Sequence, residues 1–212
     1  MRKIILSVIL ITILVLSVFS IYFQSEATAV GAHVVALKLD TGDTAWMIVA
    51  SALVLIMTPG LGFFYGGMVG KKNVISTMLQ SFMAMVIVTV LWVLVGFGLC
   101  FGPSVGGIIG DPSNNFMFNG VNSTTAWELA PTIPFILFAF FQAKFAIITP
   151  ALITGAFAER VRFWAYLLFM VLFILVIYAP LCHMTWHPDG LFFGWGVLDF
   201  AGGTVVHMSA GW

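Results

Sequence analysis

Charge is what this sequence has least of. Asp, Glu, Lys and Arg make up 8% of its 212 residues, where a water-soluble domain carries about 25%. A chain this poor in charge does not read as a soluble enzyme or binding module. The few charges also cancel to a formal net charge of zero. With no basic run to track phosphates, nucleic acid is set aside as a partner. Cysteine is almost absent too. Cys100 and Cys182 lack C-x-x-C spacing, so they form neither a redox motif nor a zinc knuckle. Both fall near predicted helix ends and read as buried thiols; a disulfide between them stays open if both ends face outward.

Apolar residues fill the chain instead, at 61%, in runs long enough to cross a bilayer. This predicts an all-α polytopic membrane protein. Residues 1–29 begin with Arg2 and Lys3, continue apolar from Ile4 to Phe23 and reach Ala27-Thr28-Ala29, a small-x-small cleavage pattern. They read as a signal peptide, with an uncleaved anchor as the alternative. Residues 30–43 follow as an external segment, and residues 44–212 as the membrane domain.

Within that domain the first span is expected over Thr44 to Met68, with Pro59 at its middle. The second runs from Val74 to Phe101, the third from Pro131 to Ala158 and the fourth from Phe163 to Cys182. A fifth opens at Asp199, and the chain stops at Trp212, which reads as the N-terminal portion of a longer protein. Lys71, Lys72, Arg160 and Arg162 flank one side of these spans and Lys38 the other. Basic residues mark the cytoplasmic side, which places the mature N-terminus and the 102–130 connection outside. Asn122-Ser123-Thr124 matches a glycosylation acceptor of little weight.

Ionisable groups at membrane depth are costly and direct attention to Leu198–His207, L-D-F-A-G-G-T-V-V-H. On a regular helix Asp199 and His207 stand about 12 Å apart along the axis and about 80° around it. The side-chain-free Gly202 and Gly203 between them admit a neighbouring helix or a small substrate. The plainer reading is that Asp199 caps the helix and His207 bonds a neighbouring carbonyl. Phe141 and Phe145 lie one helical turn apart, so their rings can stack, and such pairs are usually core packing. Gln142 beside them reads as glue between helices. Trp186 fits either an interfacial anchor or a platform for a cation, worth about 0.5 to 2 kcal/mol. His183 and His187, with Asp189 nearby, have the spacing of metal ligands. Pro188 and Gly190 break the helix there and no glutamate is placed as a general base, so no metal or other cofactor is assigned.

Three strings bring these residues together: T-P-G-L-G-F-F-Y-G-G at Thr58 to Gly67, A-F-F-Q-A-K-F-A-I-I-T-P-A-L-I-T-G-A-F-A-E-R-V-R-F at Ala139 to Phe163, and L-D-F-A-G-G-T-V-V-H. In order and content they resemble the ammonium transporter family (Amt/Mep/Rh). The resemblance runs from about Asp43 to the end. It implies the first inverted-repeat half of an eleven-helix, homotrimeric, channel-like transporter. Phe145 then resembles the inner ring of an external phenylalanine gate, and Phe141 a wall of the same vestibule. Trp186 resembles the tryptophan of the external cation site, Asp199 the acid that supports recruitment, and His207 the first of two pore histidines. The implied ligands are ammonium and ammonia, with methylammonium as an analogue. The implied partners are the lipid membrane and a PII-type regulatory protein reached through a C-terminal tail. An ammonium sensor using the same site is the rival reading, and a membrane metal-binding protein a more distant one. One residue departs from the family pattern: Lys144, where an uncharged residue is usual. About 20 Å along a helix starting at Pro131 it lies near mid-bilayer, at an insertion cost of about 2.5 to 3.5 kcal/mol. It would have to snorkel, pair with an acid or lose its proton.

Overall fold

The structure, a computed structural model, describes residues 33–211; the leader reading lies outside them. Among the described residues four helices are long and apolar enough to cross a membrane: Thr41–Met68, Lys71–Phe101, Phe135–Phe157 and Phe163–Gly194. Their number and order are those expected. Two short antiparallel ladders, β1 (Val34–Ala36) with β4 (Thr125–Trp127) and β2 (Ser104–Val105) with β3 (Ile109–Gly110), complete the bundle.

The first span starts at Asp40, whose carboxylate accepts from the backbone N–H of Asp43 at 2.8 Å, so one of the helix's unpaired donors is satisfied. Its 28 residues are about 42 Å long, and Pro59 does not end it. Small residues set its contact with the second span. A methyl group at Gly66 would meet Met78 Cγ at 2.7 Å, and one at Gly62 would meet Ser81 Cβ at 3.3 Å. Elsewhere Trp46, Leu53, Ile56 and Phe63 are exposed, as suits a helix facing lipid.

The third span begins at Phe135, not at Pro131. Ile133 precedes Pro134, and a residue before proline is pushed out of the helical region. The same span breaks near Ile153, where hydroxyls take up the loose carbonyls. Tyr65 donates to Leu152 O at 2.8 Å and Tyr166 to Pro150 O at 3.1 Å.

The fourth span outlasts the expected end at Cys182. It runs Phe163–Phe173, winds through a π segment at Ile174–Tyr178, and continues as Ala179–Trp186. The π segment ends two residues before Pro180, whose missing N–H disturbs the regular ladder. The continuous helix ends at Trp186 because His187 comes before Pro188 and is extended, and the remainder up to Gly194 is the separate short helix Leu191–Gly194. His183 is therefore a helix residue, not a loop residue.

The connection over 102–130 is no loose loop. Trp127 is 2% exposed and its ring stacks on Phe135 and Phe138, at 5.9 and 5.7 Å between centroids. With Trp92, Phe97 and Phe101 these rings make the core at the end of the bundle where Trp186 sits. At the other end Glu159, at φ 64°, accepts from the Gly70 N–H and from Asn73 Nδ2, each at 2.8 Å. That clasp joins the two connections flanked by Lys71 and Arg160.

Candidate functional site

Phe141 and Phe145 project from the third span with ring centroids 5.0 Å apart and planes at 80°. They meet edge to face, the arrangement that the ring quadrupole favours, and do not stack in parallel. Phe145 in turn lies 6.3 Å from Trp186 at 71°. The three rings, from the third span and the end of the fourth, thus form one continuous series. Trp186 is half-buried and its Nε1 donates to the backbone oxygen of Asp199 at 3.0 Å. The indole is fixed by protein, so its orientation does not depend on lipid headgroups.

Asp199 is the keystone of the next segment. Its Oδ1 accepts from the backbone N–H groups of Gly202 and Gly203 at 2.7 and 2.8 Å, and its Oδ2 from those of Thr204 and Val205 at 2.9 and 3.0 Å. Four donors at the mouth of a helix use the whole acceptor capacity of a carboxylate. The acid is a positioning residue: through its carboxylate it starts the segment bearing His207, and through its backbone oxygen it holds Trp186. The regular helix assumed between Asp199 and His207 does not occur. Gly202 is left-handed at φ 82°, and Gly203–Met208 is wound as a π segment. A methyl group at Gly202 would meet Val206 Cγ2 at 2.7 Å, so this glycine packs tightly and opens no passage. His207 is exposed on that segment.

Other polar residues sort differently. Gln142 Oε1, Tyr178 Oη and Thr185 Oγ1 are buried without a hydrogen-bond partner among the described residues, so Gln142 Oε1 is not glue between helices. Such orphaned groups are costly. Tyr178 and Thr185 were not singled out from the sequence, although a polar residue in an apolar span is the signal that would have found them. His183 contacts Cys100 O through Nδ1 at 2.9 Å and Ser104 Oγ through Nε2 at 2.8 Å. Both of its nitrogens are used structurally, so it does not join His187 and Asp189 as a ligand. Cys100 and Cys182 are buried and free. Lys144 is 5% exposed and pairs with no acid among the described residues; its Nζ sits 3.1 Å above the centroid of Phe140.

A model of the Ammonium Transporter Family matches residues 45–212. The chain belongs to the ammonium transporter family. Relatives within the family include an ammonium transporter of Mycobacterium tuberculosis, 47% identical over 193 residues, covering 81% of this chain and 40% of that protein. Another, from Aquifex aeolicus, is 43% identical over 203 residues and covers 93% and 44%. Among solved members of the family, Mep2 of Saccharomyces cerevisiae superposes with a TM-score of 0.74 at 34% identity, over 82% of this chain and 39% of that one. A sensor Amt protein superposes at 0.71 with 33% identity, over 79% and 41%. The chain spans about 40% of the length of these relatives. Family and spans together make it a membrane protein, and the relatives from Mycobacterium tuberculosis and Aquifex aeolicus are ammonium transporters, not enzymes.

Proposed function

We propose that the chain supplies the entry half of a transmembrane path for ammonium. The cation is held at Trp186, passes the Phe141–Phe145 pair, gives its proton to water, and moves on as neutral ammonia past His207. The observation that carries this is the unbroken ring series Phe141, Phe145, Trp186, closed by the Trp186 hydrogen bond to Asp199. A ring face attracts a small cation without the desolvation cost of a buried carboxylate. Beyond the rings an apolar tube disfavours charge and tolerates the neutral base. His207 follows on the segment that Asp199 starts, and its ring has no side-chain hydrogen bond among the described residues.

Lys144 stands off this path. It shares a helix side with Phe140, one turn away and about 40° around the axis, while Phe141 lies about 60° and Phe145 about 100° around it, and its Nζ is turned onto the Phe140 ring. The basic flanks support an outside position for the mature N-terminus, and assembly as a homotrimer with PII-type regulation belongs to the same reading. The second reading is an ammonium receptor built on the same site, favoured by the superposition on a sensor Amt protein. Expression of the gene in a strain lacking its own ammonium transporters separates them. Transport predicts growth on limiting ammonium, and His207→Ala at normal membrane abundance changes rate or selectivity. Saturable ammonium binding with no uptake sinks the transport reading and leaves the receptor.

A further inference from the structure

Where the β1–β4 ladder meets the end of the fourth span, His33 faces a carboxylate through each ring nitrogen. Its Nδ1 lies 2.7 Å from Glu128 Oε2 and its Nε2 lies 2.7 Å from Asp189 Oδ2. The three residues come from distant parts of the chain, 95 and 156 positions apart. Glu128 directly follows β4, and its backbone N–H also donates to His33 O at 2.9 Å. Asp189 sits in the turn after Trp186, where Gly190 N–H donates to His187 O at 2.8 Å and Leu191 N–H to Gly107 O at 2.9 Å.

The geometry has a proton requirement. An ionised carboxylate only accepts, and a neutral imidazole has a single N–H. Two carboxylates at hydrogen-bond distance on both nitrogens are satisfied together only by an imidazolium. Removing its proton turns one nitrogen's lone pair toward a carboxylate oxygen at 2.7 Å, and that arm becomes repulsive. A metal ion fits less well. His187 is near, at 4.9 Å between ring centroids, but its Nδ1 accepts from the Asp189 backbone N–H at 3.0 Å. That acceptor role puts the ring's proton on Nε2 and leaves no second lone pair to coordinate.

We propose that His33, bracketed by Glu128 and Asp189, is a proton-operated clasp that fastens the β1–β4 ladder to the Trp186 end of the fourth span while protonated. Among the described residues the titratable groups facing it are those two carboxylates and, at the end of the fourth span, His187 with His183 stacked on it at 4.3 Å. Glu128 and Asp189 are 41% and 55% exposed, so the clasp titrates with the bathing solution. Partial burial of His33 pulls its pKa down. The hydrogen bonds to Asp189 and Glu128 and their charges outweigh burial and raise it above the ordinary histidine value. With the folded value raised, the clasp is complete below the ordinary histidine value and is lost as pH climbs through the raised one. None of this depends on what passes Trp186.

Hydrogen exchange of the full protein in lipid nanodiscs, read by mass spectrometry across about pH 5 to 9, tests it. Rates are corrected for the intrinsic pH dependence of exchange. Protection of residues 33–36 and 125–128 should fall with a midpoint above that of free histidine. Asp189→Asn and Glu128→Gln, near-isosteric changes that leave the rest of the fold intact, should each move that midpoint down. His33→Gln should remove the step; if it does not fold, the two carboxylate variants carry the test. Protection that is flat with pH in the wild type, or a midpoint unmoved by both carboxylate variants, overturns the proposal.

Discussion

Asp199→Asn removes a charge while keeping the shape of the side chain, so it isolates what the carboxylate contributes to the turn before His207. Each aspartate oxygen accepts two backbone N–H groups. The asparagine oxygen can keep one pair, but its NH2 then confronts the other two N–H donors. Bonds to a charged acceptor contribute about 1.5 to 3 kcal/mol each, and leaving a part-buried amide unpaired costs about 1 to 3 kcal/mol. Because the turn relaxes and water reaches one side of it, a net local loss of about 2 to 4 kcal/mol is expected. In hydrogen exchange that is about 30- to 900-fold faster exchange at the amides of residues 202–205. Trp186 reports the same event, since its Nε1 is held by the Asp199 backbone oxygen and its fluorescence should shift as the turn loosens. Exchange within about 2-fold of wild type would refute the capping argument and return Asp199 to a role as a bare charge.

Lys144→Met should raise the yield of folded protein in the membrane without changing the concentration dependence of methylammonium uptake. The change removes a buried cation held by one ring, at a burial cost of about 2.5 to 3.5 kcal/mol. A large gain in uptake at unchanged yield would place the lysine in the path. At the opposite end, hydrogen bonds from Asn73 and the Gly70 N–H, aided by the Lys72 charge, hold the Glu159 carboxyl below the ordinary glutamate range. Its folded-state value being lowered, the clasp is present above the ordinary glutamate value and fades as pH falls through the lowered one. Exchange at residues 70–73 should therefore rise on acidification in the wild type, and Glu159→Gln should flatten that rise. An unchanged profile in the variant would count against the clasp.

The spans were legible because an apolar run of about 20 residues has few other solutions in a membrane. Their ends were less so. Pro134 and Pro188 do mark them, but each acts on the residue before it, so the third span starts at Phe135 and the fourth reaches Trp186. Spacing alone put Phe141 and Phe145 on one face, and the edge-to-face contact confirms that proximity while revising the angle. The reading of Asp199 as a cap was also available, but the π segment that makes the cap fourfold has no sequence signature beyond its glycines. His33 could not be found at all: its partners are 95 and 156 residues away, and nothing local distinguishes it from any histidine in a polar connection.

The account turns on Trp186 as the point of cation capture, and methylammonium uptake by Trp186→Leu against substrate concentration tests that most directly. Loss of the ring face removes about 0.5 to 2 kcal/mol of cation binding. The half-saturating concentration should therefore rise about 2- to 30-fold, with the rate at saturation much less affected and membrane abundance unchanged. A half-saturating concentration equal to wild type would contradict the account and leave Trp186 as a packing residue held by Asp199.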